Sequence, residues 1–401
     1  MHQLFEIQRI ILEEFKKLPF YLRSLFQDIT LDNRINGIVG SRGVGKTTFL
    51  LHTVLKKELT ALYVSADNLY FLENKLIDLV DQLHKKTDIR LLCIDEIHKY
   101  PNWNQELKNI YDTYLDFKIL FSGSSTIDLI KSKYDLSRRV TLYDLHGFSF
   151  REYLEFQFNL TLPVYSLEEI LNDPVAISKS LDVPQILKHF DQYLRDGYYP
   201  FFYTFTQDRE KFQAIQNISQ KTIYEDIGTL HTLKTPTLGL IERLFKFVLS
   251  TNPGELNASK LSSRLGKDFE NVSMYLQCLH EAGLIRFLYS DKTGSASLKN
   301  PIKLYPENTN LLFADYTQML EHSKIGKVRE TFAVCHLQNA HYPVYYTPQG
   351  DFKIKDAIFE VGGKNKSHSQ IKNEKNGYIL ADEILIGTAS KIPLYLLGFL
   401  Y

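Results

Sequence analysis

Ile35-Asn36-Gly37-Ile38-Val39-Gly40-Ser41-Arg42-Gly43-Val44-Gly45-Lys46-Thr47-Thr48 is the stretch that decides the fold. From Gly40 to Thr47 it fits the pattern G-x-x-x-x-G-K-[ST] at every fixed position. The five residues before it are short and apolar enough for a buried strand, and residues 48–57 can continue as a helix. A strand, a glycine-rich loop and a helix together make a phosphate cradle. Gly40, Gly43 and Gly45 let backbone N–H groups turn inward, and the helix N-terminus adds positive potential. Lys46 then reaches the β- and γ-phosphates and Thr47 holds Mg²⁺. Gly40, Ser41, Arg42, Gly43, Val44, Gly45, Lys46, Thr47 and Thr48 form the nucleotide-binding set. A glycine-rich turn that matches by chance is the bland alternative, and the flanking strand and helix weigh against it.

The next landmark is Ile89-Arg90-Leu91-Leu92-Cys93-Ile94-Asp95-Glu96, an apolar strand ending in two adjacent carboxylates. Solvated acids at a strand end are common. Downstream of a phosphate loop they supply the second part a P-loop NTPase needs, with Asp95 on Mg²⁺ and Glu96 polarising the attacking water. Residues 61–65 form a strand between the two, and residues 70–84 a helix with Leu72, Leu76, Leu79, Val80 and Leu83 on one face. Residues 117–121 form a further strand beside the acidic one. Its tip is Ser122-Gly123-Ser124-Ser125, where Ser124, ahead of Ser122 and Ser125, is placed to touch the γ-phosphate or the water. Capping of the next helix is the competing role. Arg138 and Arg139 precede the strand 140–143; either could stabilise transition-state charge, in cis or from a neighbouring subunit, or sit in a surface ion pair.

These motifs together carry a resemblance. The loop Gly40 to Thr47, the run from Leu91 to Glu96 continuing Ile97-His98-Lys99-Tyr100-Pro101-Asn102-Trp103, the serine tip after Phe121, and Leu145-His146-Gly147-Phe148-Ser149-Phe150-Arg151-Glu152-Tyr153 resemble a family of prokaryotic AAA+-type ATPases. In that family the ATPase is fused to a C-terminal domain of unknown function. The resemblance covers most of the chain. It implies a parallel α/β sheet with the acidic strand next to the loop strand, ATP as the nucleotide, and a functional arginine at Arg138 or Arg139.

Composition bounds the rest. At 401 residues, two or three domains are expected, and 44% hydrophobic residues suffice for real cores. A net charge of zero argues against a chain built mainly to neutralise phosphate backbones. Cys93, Cys278 and Cys335 are far apart with no C-x-x-C spacing, which argues against zinc and disulfides and for a reducing compartment. No apolar run approaches the about 20 residues of a membrane helix. Glu6, Glu13 and Glu14 do not suit a signal peptide. A cytoplasmic protein without membrane insertion is expected, with an oligomer allowed.

The expected layout is an AAA+-like ATPase domain at 1–155, a helical linker at 156–237, a winged helix at 238–322 and a restriction-endonuclease-like α/β domain at 323–401. The aromatic run Gly197-Tyr198-Tyr199-Pro200-Phe201-Phe202-Tyr203 can stack bases but suits a core better. Helices at 240–249, 257–266 and 269–282, then strands at 284–289 and 302–305 around Lys292-Thr293-Gly294-Ser295, resemble a winged helix. Its third helix carries Asp268, Glu270 and Glu281 against Lys267 alone. That favours packing or protein contact over DNA, although Asn271, Ser273 and Gln277 could meet bases. In the last segment a helix at 327–340 and strands at 351–354, 357–361, 384–387 and 394–396 are expected. There Glu330, Asp351, Glu360 and Lys364 resemble the restriction-endonuclease-like site, in which an Asp and a Glu hold Mg²⁺ and a Lys two residues after the Glu helps activate water. This chain has Gly362 at that position and Lys364 four residues on, past Gly362-Gly363, which points to a degenerate interaction domain. Lys353, Lys355, Lys364, Lys366, Lys372 and Lys375 make the segment locally basic.

The functional expectation is ATP binding and Mg²⁺-dependent hydrolysis coupled to conformational change, acting on or sensing DNA or another nucleic acid. The alternative is a slow nucleotide switch that engages a protein partner.

Overall fold

The apolar run before the glycines is a strand, β1 (Ile35–Val39), buried along its whole length. The computed structural model describes residues 1–24, 26, 29–57, 60–123, 136, 138–252, 258–291, 301–315, 324–367, 369, 371–372 and 374–401. The chain divides into two compact units, Met1–His146 and Gly147–Tyr401.

The first unit follows α1 (His2–Phe15), β1, α2 (Lys46–Lys56), β2 (Ala61–Ser65), α3 (Leu76–Lys86), β3 (Leu91–Asp95), α4 (Trp103–Thr113), β4 (Lys118–Gly123) and β5 (Val140–Asp144). Among the described residues the five strands form one sheet in the order β2-β3-β4-β1-β5, every pairing parallel. Strands buried on both faces read as near-continuous apolar runs, as Leu91-Leu92-Cys93-Ile94 does. The expected helix at 70–84 is a short 3₁₀ turn, Leu69–Leu72, and then α3. α3 and α4 cover one face, with Leu79, Val80, Leu83, Leu107 and Ile110 packed on Leu92, Ile94 and Phe121. Full burial of each such side chain contributes about 1.5–3 kcal/mol.

One implied feature of the sheet is corrected. The acidic strand β3 does not adjoin the loop strand β1, because β4 pairs with both and lies between them. That arrangement brings the tip of β4 to the carboxylates.

The second unit begins with helices, among them α5 (Phe150–Phe158) and α6 (Ile186–Asp196). Tyr193, Tyr198, Tyr199 and Phe202 are buried here, so the aromatic run is core. Three helices then follow in order, α7 (Thr235–Ser250), α8 (Ala258–Leu265) and α9 (Phe269–Glu281), leading into the antiparallel pair β6 (Ile285–Ser290) and β7 (Lys303–Pro306). The expected turn at Lys292 to Ser295 lies outside the described residues. After α10 (Ile325–Asn339) come β8 (Tyr345–Tyr346), β9 (Phe352–Ile354), β10 (Ala357–Gly362), β11 (Gly377–Ala381) and β12 (Lys391–Pro393).

Segments 238–322 and 323–401 share one sheet, ordered β12-β11-β10-β9-β8-β6-β7 among the described residues. β6 pairs in parallel with β8 through Tyr289 and Tyr345. A buried ionic knot reinforces this continuity. Arg286 of β6 donates to the Glu307 carbonyl at 2.8 Å and to Asn339 Oδ1 of α10 at 2.7 Å, and it pairs with the Glu307 carboxylate.

Two expected strands are absent at their predicted places. Leu385 and Ile386 are 53% and 45% exposed and join no strand; the strand in this region is β11, earlier in the chain. Residues 394–396 belong to a buried 3₁₀ helix, Leu394–Phe399. Short apolar runs do not by themselves separate a buried helix from a strand. Among the described residues, no helix is long and apolar enough to cross a membrane.

His336 of α10 is 1% exposed and bonded to Phe332 O and the Tyr193 hydroxyl, each at 3.0 Å. Burial, against the bond to Phe332 and with Arg286 adding to it, pushes its imidazole down to about 3. The unfolded chain takes up this proton near 6.5, so stability is full above 6.5 and is lost as pH falls toward 3. The expected loss is about 1.4 kcal/mol per pH unit below that point. Urea midpoints at about pH 7 and about pH 5 test this: the drop between them is smaller in His336→Gln than in wild type.

Candidate active site

The site is built where β1 ends. Gly40 leaves the strand against the chain following β5, and an added Cβ there falls 2.1 Å from the Leu145 carbonyl oxygen. Gly45 has φ +101° and caps α2, a backbone that L side chains rarely adopt. The first turn of α2 thus points its free N–H groups into the loop. Lys46 is 6% exposed, and its ammonium donates to Gly40 O and Ser41 O, each at 2.8 Å. The loop carbonyls hold the lysine over the cradle where phosphate oxygens would otherwise meet it.

Asp95 is the last residue of β3 and is 6% exposed. Its Oδ2 accepts from Thr47 Oγ1 at 2.7 Å and from Tyr63 Oη of β2 at 2.9 Å. Its Oδ1 accepts from Ser122 Oγ of β4. Burial first, then the Asp95 charge, pushes the Tyr63 phenol well up, so it stays a donor. A hydroxyl beside a buried carboxylate is an all-oxygen donor set at the mouth of a phosphate loop, and it fits Mg²⁺. Thr47 and Asp95 are the residues that would hold it.

Glu96 follows in the left-handed region at φ +52°. Its N–H donates to Ser122 Oγ at 2.9 Å, so one serine fixes both carboxylate residues. The Glu96 carboxylate pairs with Lys99 at 2.8 Å, and Lys99 pairs with Asp67 at 3.0 Å. Burial raises the Glu96 carboxyl, but the Lys99 hydrogen bond and the charges of Arg42, Lys99 and His98 outweigh it and hold it below the usual range.

The structure therefore brings together the loop, Lys46, Thr47, Asp95 and Glu96. It places Ser122 at the acids; Ser124 and Ser125 lie outside the described residues. Arg138 and Arg139 stand at the start of β5, level with the start of β1. Five residues of strand, about 17 Å, separate them from the loop. That corrects the in-cis reading. Arg139 is instead paired with Asp112 at 3.1 Å. Sequence reasoning missed Arg23, Tyr63, Asp67 and Lys99. Arg23 is 3% exposed and donates to His146 O at 2.7 Å and Val44 O at 3.3 Å, bracing the loop from beneath. Only a buried charge signals it, and burial is not legible in a lone arginine.

A second cluster lies within the Gly147–Tyr401 unit. Glu330 accepts from Tyr305 Oη at 2.9 Å. Lys303 lies 3.8 Å from Glu330 and 3.6 Å from Asp351, and donates to the Asp351 carbonyl at 3.1 Å. Asp351 also accepts the Val361 N–H at 2.8 Å. Burial first, then Asp351, pushes Glu330 up to about 7, against Lys303 and Tyr305. The expected Lys364 is exposed, and Lys366 pairs with Glu360 in its place. The physical reason is Gly362, where a Cβ would fall 2.7 Å from Cβ and Cγ of Lys366, so the lysine stem crosses the space a side chain would fill. Among the described residues no group of three or more His, Cys, Asp or Glu is placed to hold a metal ion. The residues here do not fit the expected Mg²⁺, and lysines meet the carboxylates instead.

A profile described as an AAA domain matches residues 32–154, and one described as a domain of unknown function, DUF8612, matches residues 187–314. With the sheet order and loop above, the chain is an AAA-domain P-loop ATPase with a C-terminal domain of unknown function. It belongs to the same family as the uncharacterized protein MJ1637 of Methanocaldococcus jannaschii. That relative is 32% identical over 386 residues, which cover 88% of this chain and 81% of the relative. Among solved structures, the Thermotoga maritima RuvB Holliday junction branch migration motor is 16% identical, with coverages of 72% of this chain and 89% of that one and a TM-score of 0.30. The Saccharomyces cerevisiae Hsp104–ADP complex is 14% identical, with coverages of 67% and 39% and a TM-score of 0.29. At those scores the likenesses decide nothing here; the loop and the profile carry the class.

Gly40→Ala tests the cradle. A methyl against a backbone oxygen forces the loop outward. ADP affinity by titration calorimetry is expected to fall at least about ten-fold with the circular dichroism spectrum unchanged.

Proposed function

We propose that this chain hydrolyses ATP with Mg²⁺. Lys46 and the loop amides bind the phosphates, Thr47 and Asp95 hold the ion, and Glu96 orients and deprotonates the attacking water. The observation that carries the reading is Ser122, which ties the ion-holding Asp95 and the neighbouring Glu96 to one strand tip beside the loop. When bound, the ion neutralises charge on the β- and γ-phosphates. Lys46 moves from the loop carbonyls to the phosphates, exchanging neutral acceptors for charged ones, which favours the bound state. Arg138 is exposed and is the candidate to act on a neighbouring subunit's nucleotide. Arg139 is the lesser one, since its guanidinium is engaged by Asp112.

We infer that the second unit responds to the nucleotide rather than cutting nucleic acid. Lys303 and Lys366 supply the cations its carboxylates need. The helices α7 to α9 and the pair β6 and β7 have a winged-helix order, read here as a protein-contact module because α9 is flanked by Asp268 and bears Glu270 and Glu281.

The test is ATP turnover of wild type beside Glu96→Gln, with and without duplex and single-stranded DNA. The expected outcome is loss of turnover in the variant by about 100-fold or more with ATP binding retained, and indifference to DNA. Turnover that rises with DNA would replace the partner-switch reading by a DNA-acting one. Glu96→Gln turning over like wild type would remove Glu96 as the base.

A further inference from the structure

Every pairing in the first unit's sheet is parallel, so the strand beginnings lie together on the edge away from the phosphate loop. On that edge is a cavity of about 420 Å³, lined by the C-terminal half of α2, the residues before β1 and the starts of β3 and β4. Small-molecule sites run from about 300 to 1,000 Å³. The floor is apolar and aromatic. Phe26 and Phe49 are buried with ring centroids 4.7 Å apart, and Leu91 is buried as well. The rim is cationic. Lys56, Lys57, Arg90 and Lys118 line it against one carboxylate, Asp116, among the described residues. Asp116 is already engaged by Arg90 and by His84, each at 3.0 Å. Lys118 donates to the Leu31 carbonyl at 2.9 Å and meets no carboxylate among the described residues. Lys56 and Lys57 are exposed and have neither a hydrogen bond nor an ion pair there. Lysines at a helix C-terminus ordinarily complement its dipole, which is worth about half a charge. That leaves most of the positive charge of Lys56, Lys57 and Lys118 unanswered. His52 lines the same cavity. Its ring stacks on Phe20 at 4.4 Å, and its Nε2 is shut from solvent without a hydrogen-bond partner. Buried polar groups are nearly always paired, and a ligand oxygen is what this nitrogen lacks.

We propose that this cavity is a second ligand site, separate from the phosphate loop, for a small phosphate monoester that carries an aromatic ring. The ring covers the floor at Phe26, Phe49 and Leu91, and the phosphate is held by Lys56, Lys57 and Lys118. An uncharged ring would leave the three ammonium groups unanswered, and a bare anion would leave the apolar floor in water. A phosphate suits this rim better than a carboxylate does, because it brings close to two charges and three acceptor oxygens. The site is physically distinct from the nucleotide site. Lys46 and Thr47 begin α2 and Lys56 ends it. Ten residues at 1.5 Å each put about 15 Å between those ends, too far for one small ligand to touch both.

The probe is phenyl phosphate, titrated by calorimetry into the full chain holding one equivalent of ADP and Mg²⁺, beside phenol and inorganic phosphate. The expected result is one saturable site per chain for phenyl phosphate, at least about ten-fold tighter than for inorganic phosphate, and no saturation with phenol. Lys56→Gln together with Lys57→Gln weakens phenyl phosphate by about ten-fold or more and leaves ADP affinity at the wild-type value. Lys372→Gln together with Lys375→Gln removes the same charge from exposed lysines of the second unit and leaves phenyl phosphate binding unchanged. His52→Phe keeps a ring on Phe20 but loses the nitrogen, and weakens the probe by about three-fold. Phenyl phosphate that fails to saturate by about 10 mM overturns the proposal. So does phenyl phosphate that binds no better than inorganic phosphate, or that both lysine pairs weaken equally. Binding that survives the loss of Lys56 and Lys57 but vanishes in Gly40→Ala places the probe in the phosphate loop, and overturns the proposal as well.

Discussion

The carboxylate of Asp95 is the point on which the first unit depends. It is buried at a strand end, and a buried charge is tolerated only where its lone pairs are met. Thr47 from the phosphate-loop helix, Tyr63 from β2 and Ser122 from β4 each donate to it. One acid thus collects donors from a helix and two other strands. Removing a donor leaves the charge under-satisfied, and moving a strand breaks more than one bond. The geometry that prepares the site is the same geometry that makes Asp95 bearable where it stands.

A parallel sheet explains why these groups meet at all. All five strands point the same way, so the loop after β1, the acids after β3 and the serine at the tip of β4 emerge on one edge. The arginines before β5 emerge on the other. The interposed β4 also separates two jobs. β1 delivers the phosphate cradle, β3 delivers the acids, and β4 between them supplies a hydroxyl that orients both carboxylate residues.

The second unit solves its charge problem differently. Glu330, Asp351 and Glu360 come together from α10, the loop before β9 and β10, and they are met by Lys303 and Lys366. Lys303 arrives from a strand far earlier in the chain, through the sheet that joins β7 to β12. The buried knot of Arg286, Glu307 and Asn339 secures that sheet across segments that read in sequence as separate domains. Of the lysines that make the last segment basic, Lys366 and Lys353 meet carboxylates, while Lys355, Lys364, Lys372 and Lys375 are exposed.

What the sequence by itself determined is what depends on local pattern. The phosphate loop is legible because its glycines, lysine and threonine have fixed spacings imposed by one turn between one strand and one helix. The acidic pair is legible because a buried strand must be apolar until it ends. The helices at 235–281 are legible from period and caps. Tertiary structure alone decided what depends on strands meeting out of sequence order. It set β4 between β1 and β3, chose Ser122 to hold the acids, and sent Arg139 to Asp112. It brought Arg23 under the loop and Lys303 to Glu330. It let Lys366 cross over Gly362, which spacing from Glu360 could not reveal. Lys366 apart, the side-chain partners lie from 21 to 123 residues from one another, and no periodicity or local motif encodes a contact that only the packing of the sheet creates.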